Sequence, residues 1–190
     1  MSYVRYVLTA SNLRRALRSL GTTLADRGLR YHVAVVGGAA LLLRDDHDRP
    51  TGDVDVAAVA EGIDEPLPRL ELPEQLRSAA ADVARTLGLD DDWLNTGAVA
   101  HVGDKLPTNY LARTRPIVYD ALTVSVLGRQ DLIRLKMYAA TDEGPASQHA
   151  RDLATMHATQ EEHTEALAWV RQNTNQDPQL IDDLAIHFGI

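Results

Sequence analysis

The chain has 190 residues, of which 45% are hydrophobic, enough to bury the core of one globular domain or of one domain with a helical appendage. Its formal net charge of −8 argues against a dedicated nucleic-acid binder and favours small-molecule or divalent-metal chemistry. Because cysteine is absent, disulfides, thiol catalysis and thiolate metal sites are excluded, and a metal would have to be bound by Asp, Glu or His.

No membrane or targeting segment is predicted. The chain lacks a run of about 20 apolar residues, the length that a membrane-spanning helix needs. Its first twenty residues carry several arginines and no cleavable hydrophobic core. We therefore expect a cytoplasmic protein without a membrane partner.

The first predicted elements are an amphipathic helix and a buried strand. Leucines recur at three- and four-residue spacing between Ser11 and Arg27, which predicts a helix that has Ser11 as its N-cap and ends at Gly28. The segment from Tyr31 to Val36 is nearly all apolar, as expected of a central strand covered on both faces.

Two glycines follow this strand directly. Gly37 and Gly38 predict a turn into a short helix over Ala39 to Arg44. Backbone N–H groups at such a turn can face an anion such as a triphosphate. The glycine turn is therefore a candidate nucleotide-binding element.

An acidic loop, residues 45–48, leaves this helix. Its side chains are potential metal ligands, and a metal-dependent hydrolase that uses Asp45, Asp46, His47 and Asp48 is one alternative. The loop lacks a second helix or strand that bears ligands. A polar connection back to the sheet is therefore the favoured interpretation.

The second predicted strand, Asp53 to Ala60, begins with two aspartates one residue apart. Side chains two residues apart on a strand project from the same face, about 7 Å apart along the backbone. Two carboxylates on one face repel each other unless a cation lies between them, and hard divalent cations take oxygen ligands. Asp53 and Asp55 therefore predict a metal site, and the alternative is a solvated strand end.

The stretch VVGGAALLLRDDHDRPTGDVDV resembles the nucleotidyltransferase superfamily, in which a glycine turn precedes a D-x-D that begins the next strand. Within that superfamily it is similar to the nucleotidyltransferase-like toxins of abortive-infection and type IV toxin-antitoxin systems and to their uncharacterised relatives. Arg49, Thr51, Asp53 and Asp55 match the motif of that branch position by position. The resemblance implies that an NTP and Mg²⁺ or Mn²⁺ bind here, with Arg49 and Thr51 on the nucleotide side.

The next predicted element is a helix that starts at Pro73 and stops at Gly88. An acidic triplet and Trp-Leu-Asn follow it. In the toxin-like relatives a similar Trp-Leu-Asn positions a loop near the cleft, and Trp93 and Asn95 match it. The alternative is a buried aromatic side chain beside a capping asparagine.

Two short strands are predicted over Ile117 to Tyr119 and Leu122 to Val126. A complete polymerase-type site carries a third carboxylate on the next strand, facing the first two. Asp120 is the candidate for this third metal ligand. Without a third acid, two aspartates alone would hold a metal poorly, and the catalytic interpretation would lose support.

The C-terminal part is predicted to be helical. A helix over Gln130 to Ala140 carries Lys136 in its apolar stretch, where a lysine ordinarily extends to the surface. In the toxin-like relatives a lysine in this context is followed on the next helix by Arg/Lys-Asp-Leu, here residues 151–153. The resemblance implies that Lys136 binds phosphate or pyrophosphate, and that Asp152 either pairs with the lysine or takes the acceptor's proton. His149 is expected to be a surface residue.

Several basic residues fall within one window and offer a local basic face. Solvated or ion-paired side chains are the favoured interpretation of these residues, which are Arg113, Arg115, Arg129, Arg134 and Lys136.

Two further helices are predicted between Glu161 and Ile190, divided near Pro178.

We therefore predict an α/β (α+β) protein of the minimal nucleotidyltransferase fold. Residues 1–128 would form a mixed, mainly antiparallel sheet flanked by helices, and residues 129–190 a helical part packed on it. The resemblance implies transfer of a nucleoside monophosphate from an NTP to a hydroxyl of RNA or protein, with a cognate antitoxin as a candidate partner. The alternative is a catalytically degenerate protein of the same fold that acts in binding or regulation.

Overall fold

A computed structural model describes residues 7–46, 48–102 and 105–190. The chain divides into two compact units. The first, called the sheet unit, comprises Met1–Asp104 and Leu111–Leu127. The second, called the helical unit, comprises Lys105–Tyr110 and Gly128–Ile190.

The sheet unit is built on a mixed sheet whose strands lie in the order β3-β2-β1-β5-β4. The strands are β1 (Tyr31–Val36), β2 (Val54–Glu61), β3 (Leu94–Asn95), β4 (Arg115–Tyr119) and β5 (Leu122–Val126). Strand β1 pairs antiparallel with β2 and parallel with β5, while β2 pairs parallel with β3 and β4 antiparallel with β5. The predicted α/β class is confirmed.

A β-bulge interrupts the pairing of β1 with β2. Val35 pairs with Val56 and Ala34 pairs with Ala58, so Ala57 is an extra residue in β2. Side chains alternate between the two faces of a regular strand. Compared with a strand of the same sequence without a bulge, the residues before Ala57 therefore lie on the opposite faces. The bulge therefore decides on which face the start of β2 presents its side chains.

The two faces of the sheet differ in chemistry. One face carries large apolar side chains, and we call it the valine face: Tyr31, Val33, Val35, Val56, Val59, Val124 and Val126. The other face carries small and polar side chains, and we call it the small-residue face: His32, Ala34, Ala58, Ala60 and Ser125. Asp55 pairs with Val36 and lies on the small-residue face.

The described helices of the sheet unit are α1 (Ala10–Asp26), α2 (Gly37–Leu43), α3 (Glu74–Leu87) and α4 (Val99–Val102). Helix α1 packs against α3, β4 and β5 through a buried leucine stripe, Leu13, Leu17, Leu20 and Leu24. Its N-cap is Thr9, so the prediction of Ser11 as the cap is wrong by two residues. Helix α3 ends at Gly88 in the left-handed conformation, as predicted.

The helical unit is organised around α5 (Arg129–Glu143), which contacts α6 (Gln148–Thr155), α7 (Gln160–Asn173) and α8 (Pro178–Phe188). Thr159 and Glu162 form a capping box at the start of α7, and Asp177 caps α8 ahead of Pro178. The predicted helical C-terminal part is confirmed. Among the helices within the described ranges, none is both long and apolar enough to cross a membrane.

Gly21 marks a close crossing of α1 over β4, and its substitution tests this packing. A β-carbon at Gly21 would overlap the carbonyl of Tyr119 and lie 3.2 Å from the Tyr119 Cβ. Gly→Ala inside a helix ordinarily stabilises by about 1 kcal/mol, but here we expect Gly21→Ala to destabilise by about 2 kcal/mol because α1 must move off the sheet. Urea denaturation measures the effect. The exposed neighbour Thr22→Ala serves as control and should change stability by less than about 0.5 kcal/mol.

Candidate functional site

Asp55 lies against the glycine turn at the end of β1. Gly37 has φ +69°, and a β-carbon on it would overlap the Asp55 carboxylate and lie 3.3 Å from its Cγ. The pairing of Val36 with Asp55 produces this approach because it sets the start of β2 beside the start of α2. Glycine is therefore needed at position 37 both for its left-handed backbone and for space.

Thr51 packs against the second glycine. A β-carbon on Gly38 would lie 2.7 Å from Thr51 Oγ1 and 3.0 Å from Thr51 Cβ. Thr51 is itself held by Leu8, since each backbone N–H donates to the other residue's carbonyl, at 2.7 and 3.0 Å. Thr51 is buried, whereas Arg49 is exposed. Thr51 thus supports the glycine turn, while Arg49 lies at the surface of the same unit.

Asp53 is held from the neighbouring strand. Asn95 Nδ2 donates to Asp53 Oδ2 at 3.1 Å and to the Asp92 carbonyl at 3.2 Å, while Asn95 Oδ1 accepts from the Gly97 N–H at 2.7 Å. Asn95 also pairs with Asp55 across β3 and β2. Asp53, Asp55 and Asn95 therefore form one group at the end of the sheet, which we call the aspartate cluster.

Trp93 anchors the short strand that carries Asn95. Its indole is buried, and Nε1 donates to the Ala80 carbonyl of α3 at 3.0 Å. Its own carbonyl accepts from the Val54 N–H at 2.6 Å. The sequence did not predict β3 as a strand. Trp-Leu-Asn was nevertheless the signal that could have revealed Asn95 as a residue of the site.

Asp120 does not belong to the aspartate cluster. It lies in the turn between β4 and β5 with φ +53°. Leu122, at the start of β5, pairs with Tyr31 at the start of β1, whereas Asp55 pairs with Val36 at the end of β1. The two ends of β1 are about 16 Å apart at 3.3 Å per residue. The prediction of Asp120 as the third metal ligand is therefore wrong, because β5 runs parallel to β1 and begins at the opposite end of the sheet.

The acidic loop is engaged by arginines. Asp45 Oδ1 accepts from Arg14 at 2.9 Å, and Asp46 Oδ2 accepts from Arg44 at 2.8 Å. His47 lies outside the described residues. Within residues 7–46, 48–102 and 105–190, no group of three or more metal-ligating side chains is placed to hold a metal. These contacts favour the interpretation of residues 45–48 as a polar connection.

The aspartate cluster suits a hard divalent cation. Asp53 and Asp55 offer carboxylate oxygens, and Mg²⁺ is commonly bound through one or two carboxylates while water and substrate phosphates complete its shell. The space above Gly37, which a β-carbon would fill, is taken by the Asp55 carboxylate. A pair of carboxylates is the kind of oxygen donor set that would hold Mg²⁺ or Mn²⁺ together with water and phosphate.

A second charged cluster lies within the helical unit. Lys136 Nζ donates to Asp152 Oδ2 at 2.6 Å, and these residues are 7% and 1% exposed. Gln148 Nε2 donates to the other oxygen, Asp152 Oδ1, at 2.8 Å. Because both carboxylate oxygens accept hydrogen bonds, the contacts favour Asp152 as the ion-pair partner of Lys136 over Asp152 as a proton acceptor.

His149 belongs to this second cluster. Burial lowers the pKa of His149, and the charge of Lys136 lowers it further, against the opposing effects of Glu143 and Asp152. In the neutral ring, Nδ1 accepts from Lys136 Nζ at 3.4 Å and Nε2 donates to Glu143 at 3.4 Å. The expectation that His149 is a surface residue is wrong, since it is half-buried beside Lys136.

Three of the residues considered for a basic face are ion-paired within the helical unit. Arg129 binds Glu162 through two nitrogens, at 2.8 and 3.1 Å, Arg134 pairs with Asp131, and Lys136 with Asp152. Opposite charges within the unit thus offset these cations. This agrees with the interpretation as ion-paired side chains.

The mixed α/β sheet sets a D-x-D at the start of one strand against the glycine turn that ends its neighbour, as the resemblance to the nucleotidyltransferase superfamily implies. A family model described as a nucleotidyltransferase of unknown function (DUF6036) matches residues 11–173. The match covers most of the chain, so the chain belongs to this family. No curated protein matches it, and no solved structure does.

Substitution of Gly37 tests the contact between the glycine turn and Asp55. Both Gly37→Ala and Gly62→Ala place a side chain on a left-handed backbone, with φ +69° and +76°, which costs about 1 kcal/mol. A β-carbon at Gly62 meets no atom within 4 Å. We therefore expect Gly37→Ala to lose at least as much stability as Gly62→Ala, because it must also displace the Asp55 carboxylate, and Gly37→Ala alone to shift the ¹³C resonance of the Asp55 carboxyl. An unmoved Asp55 resonance in Gly37→Ala would contradict the contact.

Lys136→Met tests the buried ion pair. It leaves the Asp152 carboxylate buried without its cation, so we expect a loss of about 3 kcal/mol in unfolding free energy. The double variant Lys136→Met, Asp152→Leu should recover most of that loss, because no buried charge remains. Arg171→Ala removes one partner of an exposed pair with Asp182 and, as the control, should cost less than about 1 kcal/mol. Equal losses in the two single variants would contradict burial of the Lys136 pair.

Proposed function

We propose that this chain transfers a nucleoside monophosphate from an NTP to a hydroxyl group, with a divalent cation held by Asp53 and Asp55. The observation that carries the proposal is the contact of Asp55 with the Gly37 turn, beside Asp53, in a chain of a nucleotidyltransferase family. In the proposed reaction, the acceptor oxygen bonds to the α-phosphorus and the bond from the α-phosphorus to the β-phosphate oxygen breaks. Pyrophosphate leaves, and the hydroxyl proton passes to water.

The chain's own residues would bind and orient the nucleotide. Asp53 and Asp55 would hold the cation, which neutralises phosphate charge when bound. The backbone N–H groups of Gly37 and Gly38 would face the phosphates, because neither glycine has a β-carbon of its own. Thr51 supports the turn by packing on Gly38. Exposed Arg49 would supply positive charge to the triphosphate.

Roles for the helical unit come from the sequence resemblance. Lys136 is proposed to bind phosphate or pyrophosphate, and Asp152 to hold the lysine in place. The ion pair at 2.6 Å supports the second role. A cation that contacts a leaving group offsets the negative charge that develops on it.

The acceptor is proposed to be a hydroxyl of RNA or protein, and the biological role that of a toxin in a toxin-antitoxin or phage-defence system. The support is the match of Arg49, Thr51, Asp53 and Asp55 to the toxin motif. A cognate antitoxin would then be the natural partner. The net charge of −8 favours an acceptor that does not depend on a broad basic surface.

A second candidate function is nucleotide binding without transfer. The observation that favours it is the composition of the aspartate cluster, which has an amide at position 95 and not a third acid, while Asp120 lies at the other end of the sheet. Two carboxylates suffice to bind a cation with nucleotide. A regulatory or binding module would need no more than that.

Calorimetric titration with each NTP, with and without Mg²⁺ or Mn²⁺, tests the site. We expect binding that requires the metal and that is abolished in the double variant Asp53→Ala, Asp55→Ala, because the variant removes both carboxylates. The matched control is Asp182→Ala, Asp183→Ala, which removes two exposed carboxylates of α8 and should leave binding unchanged.

Incubation with α-labelled NTPs and total RNA or cell lysate then separates the two candidates. A labelled RNA or protein that disappears in the Asp53, Asp55 double variant supports transfer. Metal-dependent binding without any labelled product supports the binding module. Nucleotide binding that survives removal of both aspartates would contradict both.

A further inference from the structure

We propose that Asn95 is a positioning residue of the aspartate cluster, which fixes Asp53 by hydrogen-bond donation at the position where an acid would become a third metal ligand. The contact with Asp53 is a matter of geometry alone. The effect on the metal rests on the proposed function.

The strand order places position 95 at the cluster. Strand β3 is the neighbour of β2 on the side away from β1, and Asn95 is the β3 residue that pairs with Asp55. Side chains of paired residues on neighbouring strands share a face. Any side chain at position 95 therefore faces the D-x-D.

The hydrogen bonds of Asn95 fix which end of its amide faces Asp53. Oδ1 accepts from the Gly97 N–H at 2.7 Å, so Nδ2 is directed to Asp53 Oδ2, at 3.1 Å. The oxygen of the amide is thereby turned away from the D-x-D. A cation at the cluster would be held by the two carboxylates, and Asn95 would orient one of them.

Asn95 is held in place by the contacts of its neighbours and of its own amide. Trp93, two residues earlier, is 1% exposed and bonded to α3, and Nδ2 of Asn95 also donates to the Asp92 carbonyl. A donor held on a packed strand fixes the carboxylate it binds before any ligand arrives. Hydrogen-bond partners that orient metal ligands commonly account for a 10- to 100-fold effect on metal affinity.

An asparagine here has a consequence that an aspartate would not share. Three carboxylates on one face repel one another when no cation is bound, whereas an amide donor attracts Asp53 under all conditions. The aspartate cluster therefore keeps its geometry without a metal, but it offers a bound metal one carboxylate fewer.

Mn²⁺ titration of the full chain, followed by electron paramagnetic resonance, tests the positioning role. We expect Asn95→Ala to weaken Mn²⁺ binding about 10-fold, because Asp53 loses its donor. Asn95→Asp should tighten it about 10-fold, because a third carboxylate then faces the cation. The control Asn173→Ala removes an amide of α7 that bonds within its own helix and should leave binding unchanged.

Melting temperatures without metal test the geometry independently of any metal. Asp at position 95 can still accept from Gly97 but cannot donate to Asp53. We therefore expect Asn95→Asp to melt about 3 °C below Asn95→Ala in buffer without metal.

The outcomes separate the inference from the proposed function. A wild-type chain that binds no Mn²⁺ would overturn the metal role, while the difference in melting temperature between the two variants would still report the contact of position 95 with Asp53. Equal melting temperatures of Asn95→Asp and Asn95→Ala would overturn the contact. Unchanged Mn²⁺ affinity in both variants, with wild-type binding intact, would overturn the positioning role.

Discussion

The candidate site depends on one strand register, the antiparallel pairing that joins Val36 to Asp55. This pair brings the end of β1 and the start of β2 together, so that the glycine turn and the D-x-D meet although they are far apart in the sequence. The approach is close enough that position 37 has no room for a β-carbon. Backbone pairing, not side-chain attraction, therefore creates the juxtaposition of acid and bare backbone.

Carboxylates close together must be balanced by positive charge or by hydrogen-bond donors. The two units of the chain solve this problem differently. Asp53 accepts from the neutral amide of Asn95 in the sheet unit, whereas Asp152 accepts from the cation of Lys136 and the amide of Gln148 in the helical unit. In the first arrangement the donor to Asp53 is uncharged. The second is already neutralised within the protein.

The sequence predicted well those elements whose signal is local. The bounds of β1 and β5 were predicted to the residue, because long apolar or alternating runs mark them, and the meeting of Gly37 with the D-x-D followed from the motif. What failed depends on spatial order, which chain order does not give. Asp120 precedes the next long strand along the chain, yet that strand lies parallel to β1 and starts at the far end.

The neighbour of β2 was missed for a different reason. Strand β3 has two residues, too few for any periodicity to be recognised, and its place in the sheet is fixed by the burial of Trp93 and its bond to Ala80. Asn95 was recognised as part of a motif. Its contact with Asp53 required the pairing of β3 with β2, which no local pattern contains.

The bulge at Ala57 determines which face of the sheet carries Asp55. If β2 kept Ala57 but formed no bulge, an unbroken alternation that started from the pairing of Ala34 with Ala58 would turn Val56 to the small-residue face and Asp55 to the valine face. Ionised carboxylates would then be buried among apolar side chains, at a cost that a marginally stable protein cannot meet. Deletion of Ala57 would remove the bulge and still leave Asp55 opposite Val36, whereas a residue inserted between Asp55 and Ala58 would invert the site unless a second bulge accommodated it.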